Sequence, residues 1–235
     1  MNMSEHISKQ FDAELEGVRT RVLQMGGLVE QQIIKAIEGL SSGDLAHIEQ
    51  VIEDDHRVNA MELELDEACS RVIAKRQPAA GDLRLIIAVI KTITDLERIG
   101  DEAEKIARMA KLVHTAKRSN MPPLELKHVS GLALGMLRKA LDTFARLDST
   151  GAAQVVEQDE LVDVEFRSIL RQLITFMMED PRTITRSLEV LFVAKALERI
   201  GDHSKNMAEY VVYMVEGRDV RHLKAGAATQ DPLAG

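Results

Sequence analysis

The sequence has no tryptophan, a single cysteine and only 3% aromatic residues. Sheets draw on aromatic and β-branched side chains to cover their pleated faces, so this scarcity argues against a β architecture. One cysteine, Cys69, excludes an internal disulfide and fits a reducing compartment. Only 5 prolines interrupt 235 residues, which leaves room for long helices. No run approaches the ~20 apolar residues that a membrane-spanning helix needs. The N-terminal stretch MNMSEHISKQFDAELEG carries acids where a targeting segment avoids them. A basic excess is also missing. With 30 Lys and Arg against 38 Asp and Glu, the formal charge of −8 argues against nucleic acid as a partner and suits cations.

What is present is the vocabulary of helices: Leu, Ile, Met, Ala and Glu, within a hydrophobic share of 45% and a charged share of 29% typical of a globular chain. Apolar residues recur every three or four positions almost throughout, as in Phe11, Leu15, Val18, Val22 and Met25. SSGD ends the first helix and Asp44 caps the second, which runs to about Gln77. PAAGD precedes a third helix, from near Asp82 to about Ala116. KRSNMPP then reads as a linker. Three more helices follow, at about Leu124 to Leu147, Ala152 to Glu179 and Arg182 to Gly217. The expected fold is all-α: two tandem, similar three-helix bundles over residues 1–118 and 124–217, with a disordered tail over 218–235.

The two halves share one hexapeptide. LERIGD begins at Leu96 in LERIGDEAEKIA and again at Leu197 in LERIGDHSKNMA, with diverging flanks. It places Glu97 four residues before Asp101, and Glu198 four before Asp202, so each pair lies on one helical face, away from the apolar seam of Leu96, Ile99 and Ala103 or its counterpart. Like charges at that spacing weaken a helix, and compensation is expected. Arg98, Arg199, Lys105 and Lys205 are available as counter-ions. A second set supplies a more specific signal. Asp159 and Asp163 are also four apart, and counting outward from Pro181 they fall level with Asp202 and Glu198 across a helical hairpin. Around Ala79 the same geometry pairs Asp55 and Asn59 with Glu97 and Asp101. Oxygen clusters of this kind suit divalent or transition metal ions such as Mg, Mn, Fe or Zn, with waters completing the shell. Four carboxylates in the second half against three plus Asn59 in the first predict tighter binding in the second. Gly100 and Gly201, costly in mid-helix, point to close approach of a neighbouring helix or a ligand.

Other candidates are weaker. Glu53 with His56, and Glu125 with His128, have the E-x-x-H spacing of di-iron bundles but turn away from the apolar stripe. His203 turns off the acid face, and Cys69 reads as a small core residue. No Gly-rich phosphate loop or local signature of nucleophilic catalysis occurs. A metal-dependent hydrolase or a metal-storage bundle is the alternative of a different class.

DLERIGDEAEKIA, ALERIGDHSKNMAEYV, GDLRLIIAVIK and EDPRTITRSLEVLFVAKALERIGD together resemble the PhoU family of bacterial phosphate-uptake and phosphate-signalling regulators, over roughly Phe11 to Gly217. The resemblance implies two three-helix bundles with metal clusters on their surface, bound through a (D/E)xxxD motif. Glu97/Asp101, Glu198/Asp202 and Asp159/Asp163 match that motif, and Asp55/Asn59 departs from it. It also implies a non-enzymatic cytoplasmic adaptor, often a homodimer, which does not insert into the membrane. Its implied partners are the ATPase subunit of a phosphate ABC transporter and a membrane sensor histidine kinase. In that role the family represses phosphate-starvation genes when phosphate is plentiful.

Overall fold

The computed structural model describes residues 3–115 and 126–220, with side chains from Gln10 onward in the first helix. Six helices follow one another: α1 (Met3–Ser42), α2 (Leu45–Arg76), α3 (Ala80–Thr115), α4 (Lys127–Arg146), α5 (Ser149–Glu179) and α6 (Ile184–Glu216). A 3₁₀ turn, Pro181–Thr183, separates α5 from α6. Among the described residues there is no strand. The linker expected near Met121 to Pro123 and most of the expected tail lie outside the described residues.

The helix ends follow from local chemistry. Asp44 caps α2 by accepting from the backbone N–H groups of Ala46 (2.9 Å) and His47 (3.4 Å). Asp148 does the same for α5, accepting from Gly151 at 3.0 Å. That cap draws Ser149, Thr150 and Gly151 into the first turn of α5, which therefore starts three residues before the position that periodicity marks. The residue before each cap, Gly43 or Leu147, takes a left-handed conformation. Asp44 with Asp148, and Gly43 with Leu147, thus align the two halves position by position.

Each half forms an antiparallel three-helix unit, α1–α3 and α4–α6, but the units do not keep separate cores. One continuous set of buried side chains includes Met25, Val58 and Leu96 from the first half and Met136, Val162 and Leu197 from the second. The seam is made mainly by α3 against α6. These run antiparallel: Asp95 faces His203 and Asn206, Glu102 faces Arg199, and Arg186 donates to the Val113 carbonyl. That register sets the two LERIGD segments level with each other at the centre of the crossing. The hexapeptide therefore sits where a pseudo-two-fold axis relates the halves.

Helices α1 and α4 close the seam on another side. A Cβ on Gly26 would run into the end of the Leu141 side chain, so the two helices meet this closely because that position is glycine. Arg19 donates to the Ala145 carbonyl at 2.9 Å, and Arg138 pairs with Glu30 at 2.7 Å. Cys69 is buried in the core. No described helix is long and apolar enough to cross a membrane.

Candidate functional site

Each hairpin brings its acids together. In the second half Asp159 and Asp163 of α5 face Glu198 and Asp202 of α6. Burial, then the neighbouring charges of Glu198 and Asp159, push Asp202 up to about 6. Burial followed by Asp159 and Glu198 raises Asp163 as well. In the first half, burial and then Glu104 and Asp101 raise Asp55. Glu97 is raised by burial, then by Asp101. Asn59 donates to Asp55 Oδ2 at 3.2 Å. The hairpin count in the sequence thus places all eight residues in their two groups.

The clusters are more enclosed than a solvated helix face. Asp55 and Asp159 are each only 7% exposed. Facing directions on an isolated helix could not show this, because the neighbouring helix supplies the cover. Among the described residues, no three His, Cys, Asp or Glu side chains stand close enough to hold a metal ion without adjustment.

Two differences between the halves were not visible from the acid motifs. The first cluster gains acids that no motif marks: Glu104 acts on Asp55, and Glu62 acts on Glu97. Glu62 also accepts from Thr94 at 3.2 Å. The second cluster places lysines at the corresponding positions. Lys195 stands at the counterpart of Thr94 and binds Glu198 at 2.5 and 2.6 Å, with its ammonium 5.3 Å from the Phe166 ring. Lys205 stands at the counterpart of Glu104 and binds Asp159 at 2.7 Å. Beside it, an open groove of ≈ 510 Å³ is lined by Lys195, Arg199, Asp202, His203, Lys205 and Asn206. The signal was present in the sequence: reading across from one LERIGD to the other sets Thr94 against Lys195 and Glu104 against Lys205.

The remaining counter-ions divide between the first cluster and the seam. Arg98 reaches Glu97 at 3.5 Å and Asp101 at 4.0 Å. Lys105 and Arg199 both pair with Glu102, which lies outside the clusters. His203 is held by Asp95 at 2.7 Å, and His56 and His128 are exposed, so none of them joins the acids.

Donor chemistry in the first cluster fits a hard cation. Asp55 Oδ1 and Asn59 Oδ1 are buried and have no hydrogen-bond partner. Both are acceptors, so what they lack is a proton donor or a positive ion.

Fold and site define a class: a duplicated all-helical bundle with a carboxylate cluster in each hairpin, related by an internal pseudo-two-fold axis. A family model described as the PhoU domain matches residues 22–110 and again 126–211. The chain belongs to the PhoU family. It is 48% identical over 222 residues to the Phosphate-specific transport system accessory protein PhoU homolog of Pseudomonas aeruginosa, covering 94% of this chain and 92% of that one. To the Escherichia coli K12 accessory protein PhoU it is 47% identical over 224 residues, covering 95% and 92%. The crystal structure of PhoU from Pseudomonas aeruginosa superposes with a TM-score of 0.85 at 48% identity, covering 88% of this chain and all of that one. A phosphate transport system regulatory protein PhoU from Streptococcus pneumoniae gives 0.83 at 30% identity, covering 89% and 99%.

Proposed function

We propose that the protein is a non-enzymatic accessory regulator of a phosphate-specific transport system, repressing phosphate-starvation genes when phosphate is abundant. The observation that carries this reading is the likeness to accessory proteins of phosphate-specific transport along nearly the whole of both chains. As an adaptor it would act in the cytoplasm, between the ATPase subunit of the transporter and a membrane sensor kinase, and as a homodimer. The long helices suit this role, since they offer extended faces to other proteins around a fixed core.

Metal binding belongs to the same proposal. Asp55, Asn59, Glu97 and Asp101 would hold an ion in the first half, and Asp159, Asp163, Glu198 and Asp202 in the second. A bound divalent cation would supply positive charge where carboxylates crowd one another, tying α2 to α3 or α5 to α6. The unpartnered oxygens of Asp55 and Asn59 support this.

The regulatory reading is tested by deleting the coding sequence and following a phosphate-starvation reporter in high phosphate. Expression should rise, return to baseline on complementation, and leave the transporter ATPase and kinase co-purifying with the tagged protein. A reporter that stays silent in the deletion strain would falsify the assignment.

A further inference from the structure

The first cluster has a floor that the second lacks. Gln32 of α1 is fully buried, and its Oε1 has no hydrogen-bond partner. Its Nε2 points at the Val51 carbonyl, 3.4 Å away. Turning the amide over would set oxygen against that carbonyl, acceptor against acceptor, so the oxygen is committed to the other side. That side is the space above Gly100. Where a Cβ of Gly100 would stand, Gln32 Oε1 lies at 3.3 Å and Asp55 Oδ1 at 3.8 Å.

The duplicate supplies the comparison. Alignment through the caps puts Met136 where Gln32 stands and Val162 where Val58 stands. Gly201 indeed faces Val162 and Met136 as Gly100 faces Val58 and Gln32. A straight apolar side chain therefore fills the same place in the same fold. Packing does not require an amide there, and a buried amide oxygen left without a donor destabilises the fold. Gln32 Oε1, Asp55 Oδ1 and Asn59 Oδ1 are three buried acceptors on one hairpin and its supporting helix, all without donors.

We propose that Gln32 is a ligand of the first-half site, its amide oxygen joining Asp55 and Asn59 to hold a hard divalent cation beneath Glu97 and Asp101. The inference rests on the metal reading above and adds to it a ligand that lies on a different helix from the paired-acid motifs. The site then ties α1 as well as α2 and α3. Its ligands are all oxygens, two of them neutral amides, which favours Mn²⁺ or Mg²⁺ over softer ions.

The experiment is calorimetric titration of Mn²⁺ into the metal-stripped full-length protein, with Asp159→Asn and Asp202→Asn present throughout to isolate the first site. Gln32→Met, which copies the duplicate, should fold, raise the Tm of the metal-free protein, and weaken Mn²⁺ by about tenfold or more. Gln32→Glu keeps an oxygen in place and should bind at least as tightly as the parent. Parent-like affinity in Gln32→Met would mean that a buried water satisfies the amide, and the inference would fail while the metal reading stood. Loss of binding in Gln32→Glu would overturn it also. If the parent takes up no Mn²⁺, the metal reading falls and this inference with it; the reporter experiment still judges the regulatory role separately.

Discussion

Asp95 on α3 lies 2.7 Å from His203 Nδ1 and accepts from Asn206 Nδ2 at 3.2 Å, both on α6 across the seam between the halves. It is 7% exposed, and its counterpart in the second half is Ala196, so the pseudo-symmetric contact is made once rather than twice. Removing one member of a buried charged group strands the others. Asp95→Ala should therefore cost about 3 kcal/mol in urea unfolding. His203→Ala should cost less, because Asn206 still satisfies the carboxylate. Equal and negligible costs for both would show that the contact does not hold the seam.

The lysines should reverse the order of metal affinity that the count of carboxylates suggests. Lys195 and Lys205 already neutralise Glu198 and Asp159, and a cation must compete with them. In the first cluster Thr94 and Glu104 stand at those positions and Glu62 adds negative charge, while Arg98 lies 3.5 Å from Glu97 and Arg108 is tied to Glu104. We expect Mn²⁺ to bind the first site more tightly in calorimetry, and Asn59→Asp to tighten it further. Lys195→Met with Lys205→Met should strengthen the second site by about tenfold. An unchanged second site in that double variant would show that the lysines are bystanders.

Acid titration should reveal the crowding. Asp202 has a folded pKa of about 6 against 3.8 for the free side chain. Between those values the folded state holds more protons than the unfolded one, so stability falls as pH rises. The metal-free protein should be more stable below pH 4 with respect to this group; the ~3 kcal/mol of a two-unit shift, reduced by solvent screening because the carboxylate is half-exposed, leaves a loss on the order of 1–2 kcal/mol by pH 7. Asp202→Asn should flatten that part of the stability profile and raise Tm at pH 7. Mn²⁺ affinity of the second site should climb over the same window as the proton is displaced.

Gly100 and Gly201 occupy matching positions but should respond differently to alanine. A Cβ on Gly201 meets Val162 and Met136 at 3.5–3.6 Å, ordinary contact. Gly201→Ala should gain up to about 1 kcal/mol from helix propensity. On Gly100 the new methyl would crowd Val58 and Gln32 Oε1 at 3.3 Å, so Gly100→Ala should gain little and weaken Mn²⁺ binding. Thermal melts of the two variants, with and without Mn²⁺, check both statements.

Much of this protein is determined locally. The three- and four-residue spacing of apolar side chains fixes six helices, and Asp44 fixes the start of α2, because helix formation and capping depend on near neighbours. Counting from Pro181 or Ala79 placed the seven acids and Asn59 in two groups, since an antiparallel hairpin converts sequence distance directly into height. The family, too, was legible in LERIGD and its flanks. Tertiary structure decided the rest. The merging of two cores along α3 and α6 depends on which helices of different halves meet, and no local period encodes that. The burial of Asp55 and Asp159 comes from the helices that cover them. Glu62 meets Glu97, Glu104 meets Asp55 and Lys205 meets Asp159 only because helices remote in sequence share one small volume, where unscreened charge is felt most strongly; Lys195, by contrast, reaches Glu198 within one turn. Gln32 is the sharpest case: on α1 it is one polar residue among many, and only folding sets its unpartnered oxygen over Gly100.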